Sequence, residues 1–313
     1  MLASVTARGA EYDPLAVPAK FTPQVVDLTV KDVRRHRDIP IRVYRPQAMQ
    51  AVPVVLFSHG LGGSREGSAY LGKHWAARGY VAVFLQHPGS DAGVWKDEAP
   101  RRRMDAMRKA ANPRNFLLRV NDVTAVLNQL DRWNKTEGHP LGERLDLRKV
   151  GMSGHSFGAV TTQAVSGQTT ERGKASFTDP RIAAAVIMSP SGPRRGTPET
   201  AFGKVSLPWM LMTGTKDVSP IGADLESRLS VFPALPPGGK YELVLFGAAH
   251  SAFTDRALPS YAEPRNPNHH RVILALSTAF WDTCLLGSET AQRWLDGDGP
   301  RSLLNDQDKW RKK

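Results

Sequence analysis

Gly154-His155-Ser156-Phe157-Gly158 follows an apolar, strand-like run from Leu147 to Met152 and precedes Ala159-Val160-Thr161-Thr162-Gln163-Ala164-Val165, which reads as two turns of a buried helix. A chain that leaves a parallel strand, turns sharply at a serine and enters a helix needs small residues on both sides of the serine. Gly154 and Gly158 stand there. The first amides of the helix would face any anion formed beside Ser156. A Gly/Ser turn without chemistry carries the same pentapeptide; the placement between strand and helix is what makes Ser156 a candidate nucleophile.

A serine needs a base and an acid that orients the base. Pro208-Trp209-Met210-Leu211-Met212-Thr213-Gly214 is an apolar strand, and Thr215-Lys216-Asp217 sets Asp217 on the loop at its carboxyl end. A further strand, Tyr241 to Phe246, leads into the small-residue loop Gly247-Ala248-Ala249-His250-Ser251. Ser156, Asp217 and His250 therefore follow separate strands, each at the C-terminal edge of a parallel sheet. Rivals exist for both partners. Asp224 falls inside the following helix pattern and Asp255 comes after the histidine; His269 and His270 begin a helix-like run. Backbone amides would have to hold an oxyanion. Val52 to Phe57 is a continuous apolar strand followed by Ser58-His59-Gly60-Leu61-Gly62-Gly63-Ser64, a glycine-rich loop that lets the backbone approach a ligand. The amides expected there are those of Leu61 and of Phe157, the residue after the serine.

The stretches Phe57 to Gly63, Gln86-His87-Pro88-Gly89-Ser90-Asp91, Gly151 to Ala159 and Thr213 to Asp217 resemble bacterial serine hydrolases of the α/β-hydrolase superfamily called predicted dienelactone hydrolases. These are similar to platelet-activating-factor acetylhydrolases and, more distantly, to cutinase-like polyester hydrolases. The likeness spans roughly residues 24 to 295; Gly-His-Ser-Phe-Gly is widely shared, whereas His-Pro-Gly-Ser-Asp is more distinctive. True dienelactone hydrolases carry a cysteine where this chain has Ser156, so that name does not specify the substrate. The resemblance implies a Ser-Asp-His esterase acting on short to medium acyl esters without a cofactor.

With 313 residues, 41% of them hydrophobic, the chain can fill one large α/β domain. Strand-like runs at 25–30, 39–44, 52–57, 80–85, 148–153, 182–188, 208–213 and 241–246 alternate with helical ones at 68–78, 115–133, 272–286 and 288–295. This predicts a mostly parallel sheet of about eight strands with helices on both faces, the first pair forming an antiparallel edge. Residues 1–23 read as an N-terminal extension, 24–295 as the domain, and 296–313 as a tail whose end, Asp306 to Lys313, is polar and frayed.

The net charge of +12 suggests polyanion binding, yet the basic residues are scattered, no nucleic-acid motif accompanies them, and the aromatic residues lie in core-like runs. They read as solvated faces rather than a nucleic-acid surface. No run approaches the ~18 apolar residues of a membrane span, and residues 1–20 lack the pattern of a secretory signal. A soluble chain is expected, cytoplasmic, or exported if a leader has been removed. The single cysteine, Cys284, sits in an apolar helix and reads as a small hydrophobe. His269-His270 lacks spaced carboxylate or cysteine partners, so no metal site is expected.

Substrate contacts are expected from the loops around the serine. The segment 87–114, with Trp95, is a candidate cap; Ser189 to Arg195 is a candidate rim; His59 and His155 flank the presumed centre. His59, His155, Trp95 and Ser189 are thus the candidate substrate-binding residues. The leading reading is an ester hydrolase. An amide or peptide hydrolase with the same constellation, or a non-catalytic binding protein on this fold, are the alternatives.

Overall fold

Val52–Ser58 is buried along its whole length, as expected of a strand covered on both faces. Its side chains alternate between two cores: Val55 and Phe57 pack on one side of the sheet, Val54 and Leu56 on the other. The computed structural model of the chain describes residues 12–48, 50–170, 176–255 and 266–313. The strands are β1 (Gln24–Asp32), β2 (Arg37–Arg45), β3 (Val52–Ser58), β4 (Val81–Leu85), β5 (Leu145–His155), β6 (Ile182–Met188), β7 (Trp209–Lys216), β8 (Lys240–Ala249) and β9 (Lys309–Lys312). Among the described residues they form one nine-stranded sheet in the order β1-β2-β4-β3-β5-β6-β7-β8-β9. Pairing from β4 to β8 is parallel, whereas β1, β2 and β9 join antiparallel.

The helices are α1 (Ala69–Ala77), α2 (Pro100–Ala110), α3 (Pro113–Asn134), α4 (Phe157–Val165), α5 (Pro198–Phe202), α6 (Leu225–Leu229), α7 (Val231–Ala234), α8 (Pro267–Leu286) and α9 (Glu289–Asp296). On one face α1 and α8 bury Trp75, Phe280 and Trp281 with Phe57 and Phe84. On the other, α3 and α4 bury Val123, Val126, Leu127 and Val165 against Val54 and Leu56. Each such side chain contributes about 1.5–3 kcal/mol when fully buried. Strand order reverses at β3, which has β4 on one side and β5 on the other. In parallel α/β sheets such a switch point opens a crevice at the strands' carboxyl ends, and here it lies between the loop after β3 and the turn after β5.

Two expectations are corrected. Asp224 does not lie inside a helix: it caps α6, its Oδ1 accepting the Ser227 amide at 2.8 Å. The frayed tail is instead the ninth strand. Its sequence, Lys309 to Lys312, shows no apolar alternation because cross-strand partners hold it: Trp310 stacks on Tyr241 at 5.5 Å, and Arg311 lies over Phe232 at 5.0 Å. Arg311 Nε also donates to the buried Glu242 carboxylate at 2.7 Å. Cys284 lies partly buried on α8, and burial pushes its thiol up to about 12, so it stays protonated at neutral pH.

Glu242 keeps 2% of its surface exposed, so removing Arg311 leaves a desolvated carboxylate without its hydrogen-bonded cation. Arg311→Met is expected to lower stability by about 1–3 kcal/mol, and Glu242→Gln in the same chain to restore most of the loss. Calorimetric melting of the three proteins checks this; equal melting of wild type and Arg311→Met would show that the pair does not hold β9.

Candidate active site

β5 ends at His155, α4 begins at Phe157, and Ser156 makes the whole turn between them with φ 58° and ψ −115°. A non-glycine residue held at positive φ costs on the order of 1–3 kcal/mol, and such strain persists only where packing over-determines it. Here the packing is steric: a Cβ at Gly154 would strike the Gly158 carbonyl, and one at Gly158 would strike the Ser58 carbonyl. The Ser156 amide donates to the Met188 carbonyl at 3.0 Å, and its side chain stays partly exposed.

Asp217 follows β7 and is fully buried. One carboxylate oxygen lies 2.7 Å from His250 Nδ1; the other accepts Ser189 Oγ at 2.7 Å and Thr213 Oγ1 at 2.9 Å. Arg228, on α6, lies 3.3 Å from the first oxygen and donates to the Asp217 carbonyl at 2.9 Å. Burial alone would raise the carboxyl's pKa, but the His250 bond, the His250 and Arg228 charges and the Ser189 hydroxyl hold it down at about 2. An ionised carboxylate only accepts, so His250 Nδ1 is the donor in this bond. The rivals lie elsewhere, Asp224 capping α6 and Asp255 accepting the Ala69 amide at 2.5 Å.

The loop after β3 runs beside the serine: a Cβ on Gly60 would sit 3.3 Å from that of Ser156. Its course is set by Gly62 N donating to Ser90 O at 2.9 Å and Ala92 N to Gly63 O at 2.8 Å. Among the described residues, the amides of Leu61 and Phe157 donate to no acceptor. One amide follows Gly60, which passes the serine, and the other is on the residue after it.

The four expected substrate contacts are distributed differently. Trp95 lies half-buried against the loop after β3, its indole nitrogen donating to Gly62 O at 2.8 Å. His59 is turned inward, 3% exposed, with Nδ1 on Gly60 O at 2.6 Å and Nε2 accepting the His87 amide at 3.1 Å, so it holds the loop and has no nitrogen left for a substrate. Ser189 is fully buried and spends its hydroxyl on Asp217. His155 backs the site: its ring lies 4.5 Å from that of His250, and burial holds its pKa well below the usual range, leaving it neutral.

Sequence reading missed Arg228, Ser189 as a partner of Asp217, and a second buried network beneath the loop after β3. In that network Ser58 Oγ meets His87 Nε2 at 3.0 Å, His87 Nδ1 meets Asp122 at 3.0 Å, and Asp122 takes Arg37 at 2.8 Å and Arg35 at 3.0 Å. It has the order Asp-His-Ser, yet Ser58 and His87 are fully buried, so no substrate reaches them. Burial, with the Arg119 charge, brings the His87 pKa down to about 4. Buried polar residues that serve only one another carry no local sequence signal.

A sequence model of the family described as platelet-activating factor acetylhydrolase, isoform II, matches residues 38–98. That stretch holds β2 from its second residue, β3, β4, the loop with Leu61, and Trp95, and it ends before Ser156. The match supports a hydrolase of the α/β class. No curated protein matches the chain. A cavity of about 540 Å³ lined by Leu127, Leu147, Arg148 and Arg181 opens at the other end of β5 from Ser156. Among the described residues no helix is long and apolar enough to cross a membrane, and no three His, Cys, Asp or Glu side chains are grouped to hold a metal.

Asp217 has a folded-state pKa of about 2 against an ordinary 3.8. Its depressed value contributes stability above about pH 4 that is lost as pH falls toward 2. Urea denaturation at pH 6 and pH 3 should show wild type losing more stability than Asp217→Asn. Parallel losses would mean that the carboxylate is not held ionised by its neighbours.

Proposed function

We propose that the chain is a serine hydrolase of carboxylic esters with short to medium acyl groups. The observation that carries this reading is the buried Asp217–His250 pair, 2.7 Å apart, on the loops after β7 and β8, its imidazole 4.5 Å from the ring of His155, the residue before the strained, partly exposed Ser156. Ser156 Oγ attacks the ester carbonyl and His250 Nε2 takes its proton; Asp217 stabilises the imidazolium. The carbonyl oxygen becomes an oxyanion held by the Leu61 and Phe157 amides, groups already fixed before charge develops. His250 then returns the proton to the departing alcohol, leaving an acyl-enzyme that water hydrolyses through the same steps. His155, neutral behind His250, adds no competing cation. The matched family's name, an acetylhydrolase, supports the short end of the acyl range. Trp95 and the segment 87–114, which contains α2, form the rim that meets the substrate.

Fluorophosphonate labelling followed by peptide mapping should place the adduct on Ser156. Ser156→Ala should lose about 10⁵- to 10⁶-fold in kcat on 4-nitrophenyl butyrate while its circular dichroism is unchanged. Retention of a tenth of the activity would remove Ser156 from the mechanism. Faster cleavage of the matched anilide than of the ester would move the assignment to amide hydrolysis.

Asp217→Asn should lower kcat by about 10⁴-fold with little change in KM, because the imidazole then sits in the wrong tautomer. Asp255→Asn, remote from His250, should be nearly silent. The reverse pattern would reassign the acid.

A further inference from the structure

Behind the Leu61 and Phe157 amides lies a fully buried cation with no carboxylate in contact. Arg119, on α3, has no exposed surface and takes part in no ion pair among the described residues. All its partners are neutral. Its Nε donates to Thr161 Oγ1 at 3.1 Å, one terminal nitrogen to Ser90 Oγ at 2.9 Å, and the other to Ser58 Oγ at 3.0 Å and to the His59 carbonyl. Its guanidinium lies 4.7 Å from the centre of the Phe157 ring. The nearest carboxylates are engaged by others: Asp122 by Arg35, Arg37 and His87, and Asp91 by Gln86. The two histidines beside it, His59 and His87, are neutral, so nothing in contact cancels its charge.

An unpaired buried charge is expensive, and arginines inside proteins are normally matched with carboxylates. This one bridges three segments around Ser156: the end of β3 and its loop through Ser58 and His59, the loop after β4 through Ser90, and α4 through Thr161 and Phe157. Thr161 also donates to the Phe157 carbonyl at 2.9 Å, so the cation is one residue removed from each free amide. We propose that Arg119 is a positioning residue of the oxyanion site, which clamps the Leu61 and Phe157 amides in place and leaves a positive charge with no contacting carboxylate behind them to favour an anion at Ser156. The ground-state ester is neutral, so the charge acts on the transition state and not on substrate binding. This rests on the hydrolase reading above.

The test begins with wild-type enzyme and fluorophosphonate labelling of Ser156; no label there takes down both the hydrolase reading and this inference. With Ser156 labelled, Arg119→Lys, Arg119→Gln and Arg119→Met are compared on 4-nitrophenyl butyrate and for inhibition by phenylboronic acid, whose serine adduct is a tetrahedral anion. The Gln and Met proteins should lose about 10-fold or more in kcat, somewhat less than removal of a direct oxyanion donor, with KM within about twofold. Boronate affinity should fall in step with kcat. Lys, which keeps the charge, should recover a substantial part of both. Should Met fail to fold, the Lys and Gln pair decides alone. Equal kcat in folded Lys and Gln proteins, or losses in kcat and KM that track melting temperature while boronate affinity stays at the wild-type value, would overturn the assignment.

Discussion

The contact between Gly158 and the Ser58 carbonyl is the constraint from which the candidate site is built. Any side chain at residue 158 would push α4 off β3, and with it the turn that carries Ser156. With α4 pressed down, the turn must be made in one residue at positive φ, and Gly60 passes alongside the serine. The Leu61 and Phe157 amides arise from the same crossing: one opens a helix that starts too abruptly to satisfy it, the other lies in a loop whose Gly62 and Gly63 amides bond elsewhere.

Two buried electrostatic networks stand on either side of this crossing, and they solve opposite problems. Around Asp217, two hydroxyls, Arg228 and His250 surround one carboxylate, and the pKa of about 2 reports that the ionised form is over-satisfied. A group held in that way fixes the tautomer of its histidine partner. Around Arg119 the balance is reversed. Hydroxyls and a carbonyl satisfy its hydrogens, and burial lowers its pKa to about 9, as expected for a cation without an adjacent carboxylate. The molecule thus sets an ionised, hydrogen-bonded carboxylate behind the imidazole and a cation with no contacting carboxylate behind Phe157.

Away from the site, the sheet's edges are managed by polar strands. β1 shows mostly exposed or half-exposed residues and pairs with β2 along its full length, while β9 covers β8 with a strand made almost wholly of lysine and arginine. Charged edges discourage pairing with further chains. The +12 net charge is partly explained here, since Arg311 and Lys312 are structural as well as solvated.

Alternation of apolar runs with helical patterns was enough to read an α/β chain with a mostly parallel sheet, because strands buried on both faces must be nearly all apolar, as Val52–Ser58 and Val81–Leu85 are. The order Ser156, Asp217, His250 at strand ends was legible for the same reason: loops after parallel strands share one edge of the sheet. Three things were decided only in three dimensions. The ninth strand depends on Tyr241, Glu242 and Phe232, far away in sequence. His59 and Ser189 turned inward because backbone groups and Asp217 met them there. Arg228 and Arg119 became buried because helices distant in sequence bring them beneath the site, where local composition marks them as surface. Periodicity reports how a segment meets the core as a whole; which polar atoms meet one another inside it is set by tertiary contact alone.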